Sequence, residues 1–182
     1  DAGLSFAPGS FVTDYLHIAG GDFRDAKTGG RVNGLVRAHP TARARAEGFP
    51  TLEADSTAFN YVTLGGVPLY DAMFQPASLG DGGLDTLYTA EAAAPTSGFN
   101  GKPIAWRYAD PSPTPRQGPV AITSFPLHRM KAGAVSHEVD GVRVPGTGMN
   151  GLVEVMAAWF RAHDATRGRV MSNGLPAAGT RV

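Results

Sequence analysis

From Val135 to Val144 apolar and polar residues alternate on both sides of Asp140-Gly141. Asp-Gly suits a two-residue type I′ turn, in which both central positions take φ > 0, so the pattern predicts a β-hairpin. The register sets Val139 opposite Val142, Glu138 opposite Arg143 and His137 opposite Val144. One face then carries Val135, His137, Val139, Val142 and Val144; the other carries Ser136, Glu138 and Arg143. Such a division predicts a half-buried hairpin with its valines inward. Pro145, which has no N–H to give a ladder, ends the second strand.

Past the loop at 146–151 the apolar period changes from two to 3.6. Leu152, Val155, Met156, Trp159, Phe160 and His163 make one stripe, which predicts an amphipathic helix over 151–164 with Asn150 as its cap. Burial of Trp159 and Phe160 would each contribute roughly 2–3 kcal/mol. This stretch is the best-defined part of the chain.

The remaining signals are shorter. Alternation predicts strands at 11–19, 31–37, 59–64, 104–108 and 120–130, the last interrupted by Pro126. Val67–Tyr70 reads as an edge piece because of Pro68. Thr41 should cap a turn or two of helix ended by Gly48, and Asp85 should cap a helix over 86–94 ended by Pro95. Lys131-Ala132-Gly133 reads as the turn that leads the 120–130 strand back into the hairpin. Residues 1–10 read as an extended arm, 20–30 and 71–84 as loops, 110–119 as a proline-rich connector and 165–182 as a tail without periodicity. The fold class expected is α+β or mainly β. It is a meander of short antiparallel strands packed on the 151–164 helix, with long Pro/Gly-rich loops, in one domain.

Composition narrows the chemistry. The 182 residues hold 24 glycines and 14 prolines, and only 18% are charged. A turn-rich, charge-poor chain fits short strands or a subunit that buries surface against partners, and not a helical bundle. The formal net charge of 0 gives no electrostatic footprint for nucleic acid or a membrane surface. No stretch approaches transmembrane length, so membrane insertion is not expected. With no cysteine, disulfides, thiolate metal sites and cysteine nucleophiles are excluded. Compartment is left open by this, with a secreted or surface-exposed setting slightly favoured.

Gly146-x-Gly148-x-x-Gly151 has the spacing of a dinucleotide-binding loop, in which backbone N–H groups at a helix start hold a phosphate. Against that reading, the strand before it is expected in an antiparallel hairpin, and no Asp or Glu follows Asp164 to hold a ribose. A flexible connection is the alternative, and no cofactor is otherwise implied. The five histidines form no HxH, HxxxH or HExxH pattern, and no metal is implied. Asp81, Asp85 and Glu91 lack the spacing of a calcium loop. Acid–base candidates are His17, Asp22, His128 and His137, with Trp106, Tyr108, Phe59, Tyr61 and Tyr70 as the aromatic lining of a pocket or, as is commoner for aromatics at strand spacing, as core.

Two functions follow as expectations. The first is a non-catalytic structural subunit of a larger assembly, such as a surface layer, a virion or a multi-subunit complex. It would have protein partners or form a homo-oligomer. The alternative is a small enzyme or ligand-binding domain using the histidine and aspartate candidates. Exposed apolar surface separates them, because an assembly component shows it when alone.

Overall fold

The computed structural model describes residues 2–25, 34–55, 70–76, 83–112 and 117–163. Among the described residues the structure is mostly antiparallel sheet with one helix longer than two turns, as the α+β or mainly β reading expects. The expected strand at 59–64, residues 67–69 of the expected edge piece and the tail at 165–182 lie outside the described residues; of the loop expected over 71–84, residues 71–76 instead form a strand with Tyr70, and 77–82 lie outside the described residues.

The larger sheet is built from β3 (Leu35–Pro40), β4 (Leu52–Glu53), β6 (Leu84–Ala92), β7 (Pro103–Tyr108) and β8 (Val120–Thr123). Its order is β4-β3-β6-β7-β8, so β6 to β8 run as a meander. A three-stranded sheet has the order β1 (Ala2–Ser5), β2 (Ile18–Asp25), β5 (Tyr70–Pro76). The arm expected at 1–10 therefore supplies a strand to a sheet.

Several expectations are corrected. Of the residues expected as a strand over 11–19, the first four instead form α1 (Phe11–Asp14), because local capping wins, and only Ile18 and Ala19 are in a strand, at the start of β2. The Ser10 hydroxyl accepts from the Thr13 N–H at 3.2 Å, and the Asp14 carboxylate accepts from the Gly9 N–H at 3.0 Å. The loop expected from residue 20 is the greater part of β2, whose Gly20-Gly21 is held by pairing to β1 on one side and β5 on the other. The helix expected over 86–94 is β6, paired along both edges. Its Tyr88, Ala90 and Ala92 are buried in alternation, so tertiary pairing overrides an alanine-rich helix propensity. The strand expected to run on past Pro126 is a single 3-10 turn at Leu127–Arg129.

Other expectations hold. Thr41 caps α2 (Ala42–Ala46), accepting from the Ala44 N–H at 3.2 Å, and Gly48 ends it at φ +92°. Leu35, Leu52, Leu87, Tyr88, Phe99 and Ile104 are among the most buried side chains of the core. Strand β7 is buried on both faces. The Trp106 indole donates to the Leu16 carbonyl at 3.1 Å, and the Tyr108 ring lies 3.7 Å from that of His17.

The hairpin forms with the expected register in β9 (His137–Val139) and β10 (Val142–Val144), and Asp140 and Gly141 both take positive φ. Its burial is the reverse of the expectation. All six strand residues are exposed, with Val139 at 48% and Val142 at 66%. The polar side is the attached one. Glu154 of α3 (Gly148–Ala162) accepts from the Ser136 N–H at 3.1 Å and pairs with Arg143 at 3.1 Å.

Helix α3 begins three residues before the expected start, after Thr147. Asn150 does not cap it; its side-chain amide donates to the Gly133 carbonyl at 3.0 Å. Residues 131–134 do not turn as a hairpin but lie along the loop before α3. The carbonyls of Lys131, Ala132 and Ala134 accept from the N–H groups of Met149, Asn150 and Thr147 at 2.9–3.2 Å. Leu152 is fully buried and Met149, Val155 and Met156 pack against the core, whereas Phe160 stays 37% exposed. The helix thus buries its start most deeply, and its second half is more exposed. No helix among the described residues is long and apolar enough to cross a membrane.

Candidate functional site

Arg107 interrupts the aromatic strand Trp106-Arg107-Tyr108. Strand alternation sends Trp106 and Tyr108 to one face and Arg107 to the other. There its side chain is only 4% exposed. Burying a guanidinium requires partners, and the neighbouring elements provide them. Asp85 sits directly across on β6, and its Oδ2 accepts from Arg107 Nη2 at 2.8 Å and Nε at 3.1 Å. Glu47, at the end of α2, reaches Nη2 at 2.6 Å. Arg43 closes the network on Asp85 at 3.5 Å and on Glu47 at 3.4 Å. Two arginines and two carboxylates leave it formally neutral.

Two aromatic rings complete the enclosure. The guanidinium carbon lies 5.4 Å from the Phe49 ring centre and 5.2 Å from that of Trp159, within cation–π range. Trp159 stands near the end of α3, half-buried, with the His163 ring 4.9 Å away. Arg107 Nη1 is buried and has no hydrogen-bond partner among the described residues. A buried donor left in that condition costs about 1–3 kcal/mol, and more on a charged group.

Two cavities, of about 400 and 370 Å³, share Glu47, Arg107, Trp159 and His163 in their walls and so lie side by side. The first is bordered by Val155 and Ala158 of α3 and by Pro145 and Arg143 from the hairpin. The second opens toward Arg43, Asp85 and Asp110.

A second charged group covers the outer face of the large sheet. Arg37 and His39 on β3 point the same way as Glu91 on β6, because they share strand parity and register. His39 Nε2 lies 2.5 Å from Glu91 Oε2, and Arg37 Nη1 lies 3.0 Å from Glu91 Oε1. Glu53 continues the row to Lys131 at 2.8 Å. The His39 bond and the Arg37 charge hold the Glu91 carboxyl below its ordinary range; Lys131 and Arg37 do the same for Glu53. The row is solvated and borders neither cavity.

The four acid–base candidates sit on separate pieces of the fold. His17 is buried in the turn before β2, in the left-handed region at φ 58°, with its Nε2 2.7 Å from the Gln117 amide nitrogen. Asp22 lies within β2, opposite Gly3 and Met73. His128 is exposed on the 3-10 turn, where it accepts from Arg129 Nε at 3.1 Å. His137 is exposed on β9, opposite Val144. Among the described residues no three His, Asp or Glu side chains converge as a metal site needs.

The three glycines of the loop serve close backbone packing. A Cβ on Gly151 would stand 2.3 Å from the Gly146 carbonyl oxygen, and one on Gly148 2.7 Å from that of Lys131. A Cβ on Gly146 would come within 3.1 Å of the Ala134 oxygen and the Gly151 nitrogen. The N–H groups of Met149 and Asn150, which a phosphate would need, already donate to Lys131 and Ala132.

Sequence reasoning passed over Arg107 and took Asp85 for a helix cap. The available signal was an arginine inside an apolar-aromatic strand pattern, which demands a buried carboxylate somewhere in the chain. No family model, curated protein or solved structure matches the chain.

Proposed function

We propose that the chain is a non-catalytic component of a larger protein assembly that docks through the β9–β10 hairpin. The carrying observation is the orientation of that hairpin. Glu154 ties its polar side to the body, while Val135, Val139, Val142 and Val144 stand in solvent on the other. Strands β9 and β10 pair only with each other among the described residues, so their outer edges offer unpaired backbone groups beside an apolar face. Complete burial of a valine side chain contributes roughly 1.5–3 kcal/mol, and four stand together here. A two-stranded ribbon is marginal alone and gains by packing on something else.

A second copy of the chain is the partner best matched to this surface. A formal net charge of 0 brings no long-range repulsion between copies, and a two-fold axis would set valine row against valine row. The test is mass by light scattering over a rising concentration series, run on wild type and on Val139→Lys/Val142→Lys. Wild type should grow in mass and the variant should stay monomeric with an unchanged circular dichroism spectrum. A wild-type monomer at every concentration would sink self-assembly, and growth that survives the lysines would move the interface off the hairpin.

A further inference from the structure

The cavity of about 400 Å³ beside Arg107 has room for a single-ring molecule. Its walls are largely apolar, with Phe49, Pro145, Val155, Ala158 and Trp159 among them. Apart from His163, the ionisable side chains at its edge are already matched in pairs, Arg107 with Glu47 at 2.6 Å and Arg143 with Glu154 at 3.1 Å. A charged guest would find no net countercharge and would lose its hydration against apolar walls, which is unfavourable. A neutral guest avoids that loss.

One polar requirement remains at the site. Arg107 Nη1 is buried without a hydrogen-bond partner among the described residues. A guanidinium only donates, so the group that would satisfy it is an acceptor. We propose that this cavity binds a neutral, ring-sized organic molecule carrying a carbonyl oxygen, with its apolar body against Val155 and Ala158 and its oxygen on Arg107 Nη1. Nη1 is covered, and the half-buried Trp159 ring, which packs against the guanidinium, is the group that shifts to admit the oxygen. Trp159 lies in the last turn of α3, where helices fray most readily. The site is distinct from the docking face, since the hairpin turns Arg143 toward the cavity and its valines away.

The test uses the whole chain and three probes that share one ring: benzamide, benzoate and benzamidine, which are neutral, anionic and cationic. Binding is followed by ligand-observed NMR and by tryptophan emission. Benzamide should bind saturably and change the emission, and at least about tenfold more tightly than either ion. Ala158→Phe, at an exposed position of α3 that lines the cavity, should abolish binding without changing the circular dichroism spectrum. Arg107→Lys should weaken benzamide about tenfold if it folds. Absence of saturable benzamide binding would overturn the proposal, as a site satisfied by water alone would behave. Benzoate or benzamidine binding as tightly as benzamide would overturn the neutral-guest assignment, and binding that survives Ala158→Phe would overturn the location.

Discussion

Gly151→Ala should destabilise this protein, although alanine normally improves a helix. Gly151 is the fourth residue of α3, and propensity alone gives alanine an advantage of up to about 1 kcal/mol there. The tertiary structure opposes that gain. The added Cβ would lie 2.3 Å from the Gly146 oxygen and 2.6 Å from its carbonyl carbon, both backbone atoms that cannot swing aside. To reach even 3.0 Å the helix start and Gly146 have to separate by about 0.7 Å. That movement strains the bonds from Met149 to Lys131 at 3.2 Å and from Asn150 to Ala132 at 2.9 Å. Overpacking of this kind costs about 1–3 kcal/mol, so after the propensity gain the net loss should be about 1 kcal/mol and up to about 2 kcal/mol. In a chain of this size it lowers Tm by about 2–8 °C. Urea unfolding followed by circular dichroism is the assay. Val153→Ala, at a helix position 60% exposed, is the control and should gain about 0.5 kcal/mol. If Gly151→Ala matches or exceeds wild type while the control rises as expected, the close backbone packing assigned to the three glycines is refuted.

Tyr88→Phe should cost about 1 kcal/mol in urea unfolding, since it leaves the Pro50 carbonyl without the phenol that donates to it at 2.8 Å. Burial raises the pKa of the same phenol, so its stabilising contribution is present below the ordinary tyrosine value and is lost as pH rises through the folded one. Spectrophotometric titration should show a tyrosine that ionises above the ordinary range. Bonds from Ser136, and then the Arg143 charge, hold the Glu154 carboxyl below its ordinary value. The attachment of the hairpin is therefore present above that value and lost as pH falls through the lowered one. Protease cleavage within 137–144 should accelerate under those acidic conditions, and Glu154→Ala should cause the same acceleration at neutral pH; equal cleavage rates would contradict the attachment.

What was legible in the sequence rests on chemistry within a few residues. The Asp140-Gly141 turn and the register it imposes, Thr41 as the cap of α2, Gly48 as its stop and the strand around Trp106 all belong to this class. Local signals also misled where tertiary pairing was stronger. Residues 86–94 carry a helix composition, yet strands β3 and β7 on either side draw most of that stretch into a sheet. The Gly146 to Gly151 spacing fits a phosphate loop or, more simply, a connection, and only the structure shows that Lys131 and Ala132 accept from the N–H groups of Met149 and Asn150.

The sequence by itself determined that the chain is cysteine-free, formally neutral and built of short strands with one amphipathic helix, because composition and periodicity carry that information directly. It also determined that residues 137–144 form a hairpin. Only the tertiary structure decided which side of the hairpin meets solvent, because Glu154, eleven residues beyond Arg143, reaches back for the polar side. It likewise decided the site at Arg107. Glu47 with Phe49, Asp85 and Trp159 come from three distant parts of the chain, and no pattern of neighbours announces that they will enclose one guanidinium. They meet because an arginine buried in the middle of a sheet is tolerable only where charge and π-faces from other elements converge on it.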